Sequence, residues 1–432
     1  MNDIRIVSEK LEKLLRDRSV PVFEYTVSES ETRELNTEKT DFNLFRTIFG
    51  GSVSVTVILD GRKGTASGND LTDAGLEKAV SDAVLGAESS LKDDANVIAE
   101  KQEPETFSAG PLEADMPRLY ARLQEMFEGI TREYPHVNLL QVIADHERAH
   151  RLYANSNGTR FEQFSGAYHV SLEMSGSDGE TNTGLDYTQI ALHDLEKPFL
   201  DQGSMRNHME SVEKSLKSVS VNGKFEGSVI FTPDCVGEFM YMLMGNYMTN
   251  TVIMDGTSQW LNRLNEQVAS DRITVTLKAE DDRLVDLQPY TSDGYKAENV
   301  TPIDHGVLKC FLLNLYAARK TGRPVSRNGG FSMVMEPGDT ALNDMIASVK
   351  KGLIVGGFSG GEPGANGEFS GVAKNSFLVE DGKIVGAVTE TMINGNLEQV
   401  FRNVEAVSCE LVCDGTSVIP YVMSSGIVVS GK

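Results

Sequence analysis

Residues 146–150 read His-Glu-Arg-Ala-His, the order of types in the zinc-peptidase signature H-E-x-x-H. On a helix, histidines four apart meet one metal ion from one face, and the glutamate between them serves as general base. In extended chain the same histidines stand about 13 Å apart, at ~3.3 Å per residue. A zinc ion needs each nitrogen within ~2.1 Å. The flanks carry both patterns. Leu139, Leu140, Ile143 and Ala144 are compatible with a helix. Leu140, Val142 and Ala144, then Leu152 and Ala154, alternate as a strand does, and Asn157-Gly158 offers a turn. A corresponding earlier segment, Tyr25 to Thr37, is extended and polar with no helical stripe. The expectation is a solvated strand or hairpin. A metallopeptidase using His146, Glu147 and His150 stays as an alternative.

Other residues invite chemistry less strongly. The glycine-rich stretch from Val355 to Gly371 lacks the Gly-Lys-Ser/Thr ending of a phosphate-binding loop. Its glycines suit turns between short strands, or the close approach of a peptide backbone. Met240, Met242, Met244 and Met248 lie in one helical stretch, where core packing is the simpler role and adaptable peptide contact the other. The chain has 4 Cys, and Cys409 and Cys413 lack zinc-ribbon spacing. They read as reduced thiols of a cytoplasmic protein. No Ser-His-Asp or Cys-His arrangement is legible.

The elements that must position these residues come in two textures. Residues 3–17 form a helical stripe of Ile4, Val7, Leu11, Leu14 and Leu15, with Asp3 as cap. Val53, Val55, Val57 and Leu59 alternate before an Asp60-Gly61 turn, and Thr72 starts a helix with Leu76, Ala79, Val80 and Ala83 on its face. Residues 91–114 are acidic and aperiodic and read as a linker. The order then repeats: a helix over 116–133, strands including Tyr168 to Met174, and a helical stripe over 204–218. From about 221 come a strand (Ser228 to Phe231), the Thr232-Pro233 start of the methionine-rich helix, and many short strands and turns. The predicted fold is α+β: a module over 1–90, a linker over 91–114, a second module over 115–220, and a larger β-rich domain over 221–432.

The chain has 432 residues and a formal net charge of −23. That acidity argues against a direct grip on nucleic acid or on an anionic membrane. The N-terminus lacks the apolar core of a signal peptide, and no run approaches the length of a membrane-spanning helix.

The C-terminal half resembles the TldD/PmbA family, also called modulators of DNA gyrase. The resemblance rests on Asn314 to Gly330 (NLYAARKTGRPVSRNGG), Pro337-Gly-Asp339, Gly352-Leu-Ile-Val355 before the glycine loop, Gly367-Glu-Phe-Ser370 and Glu380-Asp-Gly-Lys-Ile384. With the two-module first half it covers essentially the whole chain. The resemblance implies a zinc peptidase whose H-E-x-x-x-H motif lies on the helix after the first strand of the C-terminal domain. Matching the motif's glycine to Gly245 places Tyr241 and Asn246 where the histidines would be, and Met242 where the glutamate would be. Cys413 resembles a further family ligand. A phenol, an amide and a thioether replace two ligands and a base, so the chain resembles the PmbA (TldE) kind, which lacks the motif.

What the resemblance implies is a non-catalytic subunit of a cytoplasmic peptidase complex for peptide maturation and proteolysis. It would hold no cofactor of its own. Zinc would sit in a TldD-like partner, and an extended peptide would bind by strand addition. Gly360, Gly361 and Arg319 are the candidate peptide contacts. A peptide-binding or scaffold homodimer without peptidase activity is the third reading.

Overall fold

The computed structural model describes residues 3–285, 287–329 and 332–431. Helix α1 (Ile4–Asp17) begins at Asp3, whose carboxylate accepts from the Arg5 backbone amide at 3.0 Å. That satisfies one of the donors every helix start leaves unpaired. β1 (Val22–Glu38) and β2 (Asp41–Leu59) follow as one long hairpin, and β3 (Arg62–Gly68) lies along the second half of β2. α2 (Asp73–Ser89) is capped by Thr72, whose hydroxyl accepts from the Gly75 amide at 3.3 Å.

The segment 91–114, expected as a linker, contains β4 (Glu105–Ala109). α3 (Met116–Glu133), β5 (Val137–Asn155), β6 (Arg160–Gly176), β7 (Asp186–Leu192) and α4 (Met205–Ser215) then repeat the earlier order. β4 pairs in parallel with β6. The strands of both modules form a single sheet, in the order β3-β2-β1-β5-β6-β4, with β7 also on β6. The join is β1 against β5, antiparallel from Glu24↔Asn155 to Glu38↔Gln141.

One face of this sheet carries the four helices. Alternate residues share a face, and Tyr25, Val27 and Leu35 of β1 do so. Tyr25 and Val27 enter the core beneath α1 and α2, and Leu35 enters the core beneath α3 and α4. On the opposite face the Tyr153 ring lies 5.9 Å from that of Tyr290. Its hydroxyl donates to the Glu24 carboxylate at 2.9 Å. This is where the sheet meets the C-terminal domain.

The C-terminal domain is a second sheet, of 14 strands among the described residues. The strands that matter here are β8 (Lys224–Phe231), β9 (Lys351–Val355), β10 (Gly357–Ser359), β11 (Glu368–Lys374), β12 (Val404–Cys413) and β13 (Val418–Ser430). β8 runs antiparallel to β13 and parallel to β9. After β8 comes α5 (Pro233–Tyr247), with Thr232 at its N-cap and Pro233 in its first turn. The Thr232 hydroxyl donates to the Gly356 carbonyl at 3.3 Å instead of capping the helix. α5 sinks Phe239, Met240, Leu243, Met244 and Tyr247 into the largest apolar core, so the methionines pack rather than face a ligand. The fold is α+β. No helix among the described residues is long and apolar enough to cross a membrane.

Candidate functional site

His146, Glu147 and His150 lie in β5, and the extended chain read from the alternation is what forms. His146 is buried, its Nε2 2.7 Å from the Pro111 carbonyl oxygen and its ring against Tyr168. The Nε2 of His150 lies 2.7 Å from Glu162, and the ring stacks on Phe164 at 4.1 Å. Glu147 projects from the other face of the strand, because neighbours in a strand alternate. The three side chains do not converge. Among the described residues no group of three or more His, Cys, Asp or Glu side chains is arranged to hold a metal ion.

A cleft of about 1180 Å³ opens between the β7 edge of the first sheet, with α4, and the C-terminal domain. β7 supplies Asp186 and Tyr187, α4 supplies His208, and α5 supplies Asp234, Glu238 and Tyr241. These α5 positions recur at four, then three, residues, so one helical face looks into the cleft. Asp414, just past β12, closes the far side. Its Oδ1 accepts from the Thr416 and Ser417 amides, both at 2.7 Å, and its carbonyl accepts from the Ala191 amide at 2.8 Å. That turn therefore pins the C-terminal domain to β7.

The electrostatics of the cleft are dominated by carboxylates. His208 Nδ1 lies 2.8 Å from Asp186 and its Nε2 3.5 Å from Asp234. Burial opposes the charged ring, but the two carboxylates prevail and raise its pKa to about 10. Burial, and then Glu362, raise the Glu238 carboxyl above its usual range. Tyr241 is 43% exposed, and burial of the remainder together with Asp414 raises its phenol.

The four family-position residues engage different neighbours. Tyr241 faces the cleft. Met242 packs against the apolar core. The Asn246 amide donates to the Pro363 and Gly364 carbonyls at 3.4 and 3.1 Å and so tethers the glycine loop. The Cys413 thiol donates to the Arg283 carbonyl at 3.4 Å, and burial raises its pKa. A phenol, a core thioether, an amide committed as donor and a protonated thiol do not fit a zinc ion. Of the candidate peptide contacts, Gly360 and Gly361 form the turn after β10 with φ of +83° and +54°. Arg319 is exposed at the end of a short helix (Leu315–Thr321). None of these three lines the cleft, whereas Gly356 and Ser359 do. Of the charged residues that line it, Asp186, His208 and Asp414 come from separate elements with no shared spacing in the sequence, and Asp234 and Glu238 alone share a helical spacing, on α5.

A two-sheet α+β protein with an acidic cleft between its sheets, and a helix that turns Asp234, Glu238 and Tyr241 to that cleft, is the class these features define. Two family profiles match: the PmbA/TldA metallopeptidase C-terminal domain over residues 223–431, and domain 1 of the same group over 26–87. This chain belongs to the TldD/PmbA family. It is 24% identical to the metalloprotease PmbA of Escherichia coli O157:H7, over 93% of each chain. It is 23% identical to a metalloprotease of Methanothermobacter thermautotrophicus, in an alignment spanning 60% of each. Among solved structures, TldE from Thermococcus kodakarensis superposes with a TM-score of 0.84 at 20% identity, covering 98% of this chain and all of that one.

Proposed function

We propose that this chain is the non-catalytic, PmbA/TldE-like subunit of a cytoplasmic TldD/PmbA-type zinc peptidase complex that acts in peptide maturation and proteolysis. The observation that carries the reading is the face α5 turns to the cleft. Where the family places a histidine, that face presents Tyr241, and the accompanying Met242 and Asn246 are committed to the core and to the glycine loop. In this reading the cleft, about 1180 Å³, takes an extended peptide, and this chain's role is to shape one wall of it. The zinc and the general base belong to the TldD-like partner.

The test pairs this chain with a TldD-like chain encoded in the same genome. Co-purification is expected, with zinc stoichiometric to the partner alone, and cleavage of an unstructured peptide is expected only for the pair. Glu147→Gln in this chain should leave that cleavage unchanged. Chelator-sensitive cleavage by this chain alone, abolished by Glu147→Gln, would overturn the reading.

A further inference from the structure

The cleft is unbalanced in charge. Its carboxylates are those of Glu173, Asp186, Asp234, Glu238, Glu390 and Asp414, and its cationic side chains are Lys374 and His208. His208 sits between Asp186 and Asp234, at 2.8 and 3.5 Å, so those three groups answer one another. Glu173, Glu238, Glu390 and Asp414 are left with the single ammonium of Lys374. The charge that acts on Glu238 is another carboxylate, Glu362 of the glycine loop, and no cation among the described residues pairs with it.

Acidity alone describes much of the surface of a chain with a net charge of −23. The cleft adds a second feature. Leu185, Tyr187 and Tyr241 line it with their side chains open, at 55%, 58% and 43% exposure. Each tyrosine lies beside a carboxylate. The Tyr187 hydroxyl donates to Glu173 at 3.3 Å. Tyr241 is one turn from Glu238 on α5, and Asp414 acts on its phenol. An aromatic face next to a carboxylate attracts an ammonium or guanidinium twice, through the ring quadrupole and through the charge. A cleft focuses that field. A bare metal ion is the other cationic occupant to consider, but no three ligands are arranged for one among the described residues.

We propose that the cleft selects peptide segments that carry lysine or arginine, with the cationic side chain laid on Tyr241 and its head between Glu238 and Asp414. This rests on the reading of the cleft as a peptide site and names the class of peptide it takes.

The test is fluorescence anisotropy on the purified full chain with labelled, unstructured peptides that differ only in their central residues: Lys, Gln or Glu. The Lys peptide is expected to bind about tenfold tighter than the Gln peptide at low salt, with the preference shrinking as salt is added. Glu238→Gln should reduce the preference to about twofold while leaving the melting temperature unchanged. Tyr241→Leu, which keeps an apolar contact but removes the aromatic face, should weaken the Lys peptide more than the Gln peptide. Glu9→Gln, at an exposed site on α1 far along the chain, should change nothing. Equal affinity for the Lys and Gln peptides would overturn the preference and leave the peptide site standing. No binding of any peptide would remove both. An equal loss in Glu9→Gln and Glu238→Gln would assign the preference to overall charge and overturn the proposal. So would tighter binding of spermidine than of the Lys peptide, which would make a free polyamine the occupant.

Discussion

The His208 imidazole lies 2.8 Å from the Asp186 carboxylate of β7, and its other nitrogen lies 3.5 Å from Asp234 at the start of α5. One ring therefore ties the first sheet to the helix that faces the cleft. Its folded pKa, about 10, lies above the ordinary histidine value near 6.5. The stability this contributes is fully present below about pH 6.5 and is lost as pH rises toward 10. His208→Asn should cost about 3–5 kcal/mol at pH 6, as expected for breaking a buried ion pair, and much less at pH 10. Urea unfolding at the two pH values checks this, and an equal loss at both would refute it.

Glu24 responds to pH through the opposite chemistry. Burial raises its carboxyl to about 7, against the lowering effect of the Tyr153 hydroxyl bond. The folded state then holds a proton that the unfolded chain releases near pH 4.5, so stability drops as pH rises from there through 7. Glu24→Gln keeps an acceptor for Tyr153 and removes the buried charge. It is expected to stabilise the protein at pH 8 by on the order of 1–3 kcal/mol and to be neutral at pH 4.5. Thermal melts at both pH values are the measurement, and a destabilised variant at pH 8 would contradict the assignment.

Gly294 has φ +82°, and a Cβ there would come within 2.1 Å of the Tyr153 hydroxyl. Gly256 has φ +68° with open space around it. Both incur backbone strain on substitution, about 1 kcal/mol, but only Gly294→Ala also displaces Tyr153 from Glu24. Its melting temperature should therefore fall well below that of Gly256→Ala. Equal shifts would show that the crowding at Tyr153 is relieved at no cost.

Asn246 holds the glycine loop by its side-chain amide. Asn246→Ala should leave global stability within about 1 kcal/mol while speeding proteolytic nicking between residues 360 and 366. Mass spectrometry of limited digests reads the cut site directly. An unchanged digestion rate would mean that the turn of Gly360 and Gly361 holds the loop without help.

Local signals in the sequence are strong. Asp3 and Thr72 mark their helix starts because a short acceptor side chain ahead of an apolar stripe has one good use. The β5 assignment rests on the corresponding segment Tyr25 to Thr37, which is extended and polar and so decides between the helical and alternating patterns that flank the metal-motif letters. What stays hidden is long-range. The chemistry of β1 and β5 does not announce that they pair, so two modules that read as separate units share one sheet. β4 escapes sequence reading because Glu105 to Ala109 is too short and polar to show a period. The cleft is illegible for a related reason: Asp186, His208, Asp234 and Asp414 become neighbours only when two sheets meet. Tyr241 is found through family resemblance, and its place on the cleft wall follows from its helical spacing with Asp234 and Glu238.

The pairing of β1 with β5 also changes what the 91–114 segment can do. It spans the two halves of the first sheet and lays β4 on β6, but the longer join between the halves is the backbone ladder from Glu24↔Asn155 to Glu38↔Gln141. A single protease cut in this segment is therefore silent in solution. The two fragments stay zipped, migrate as one particle, and part only when the whole sheet melts in one cooperative step.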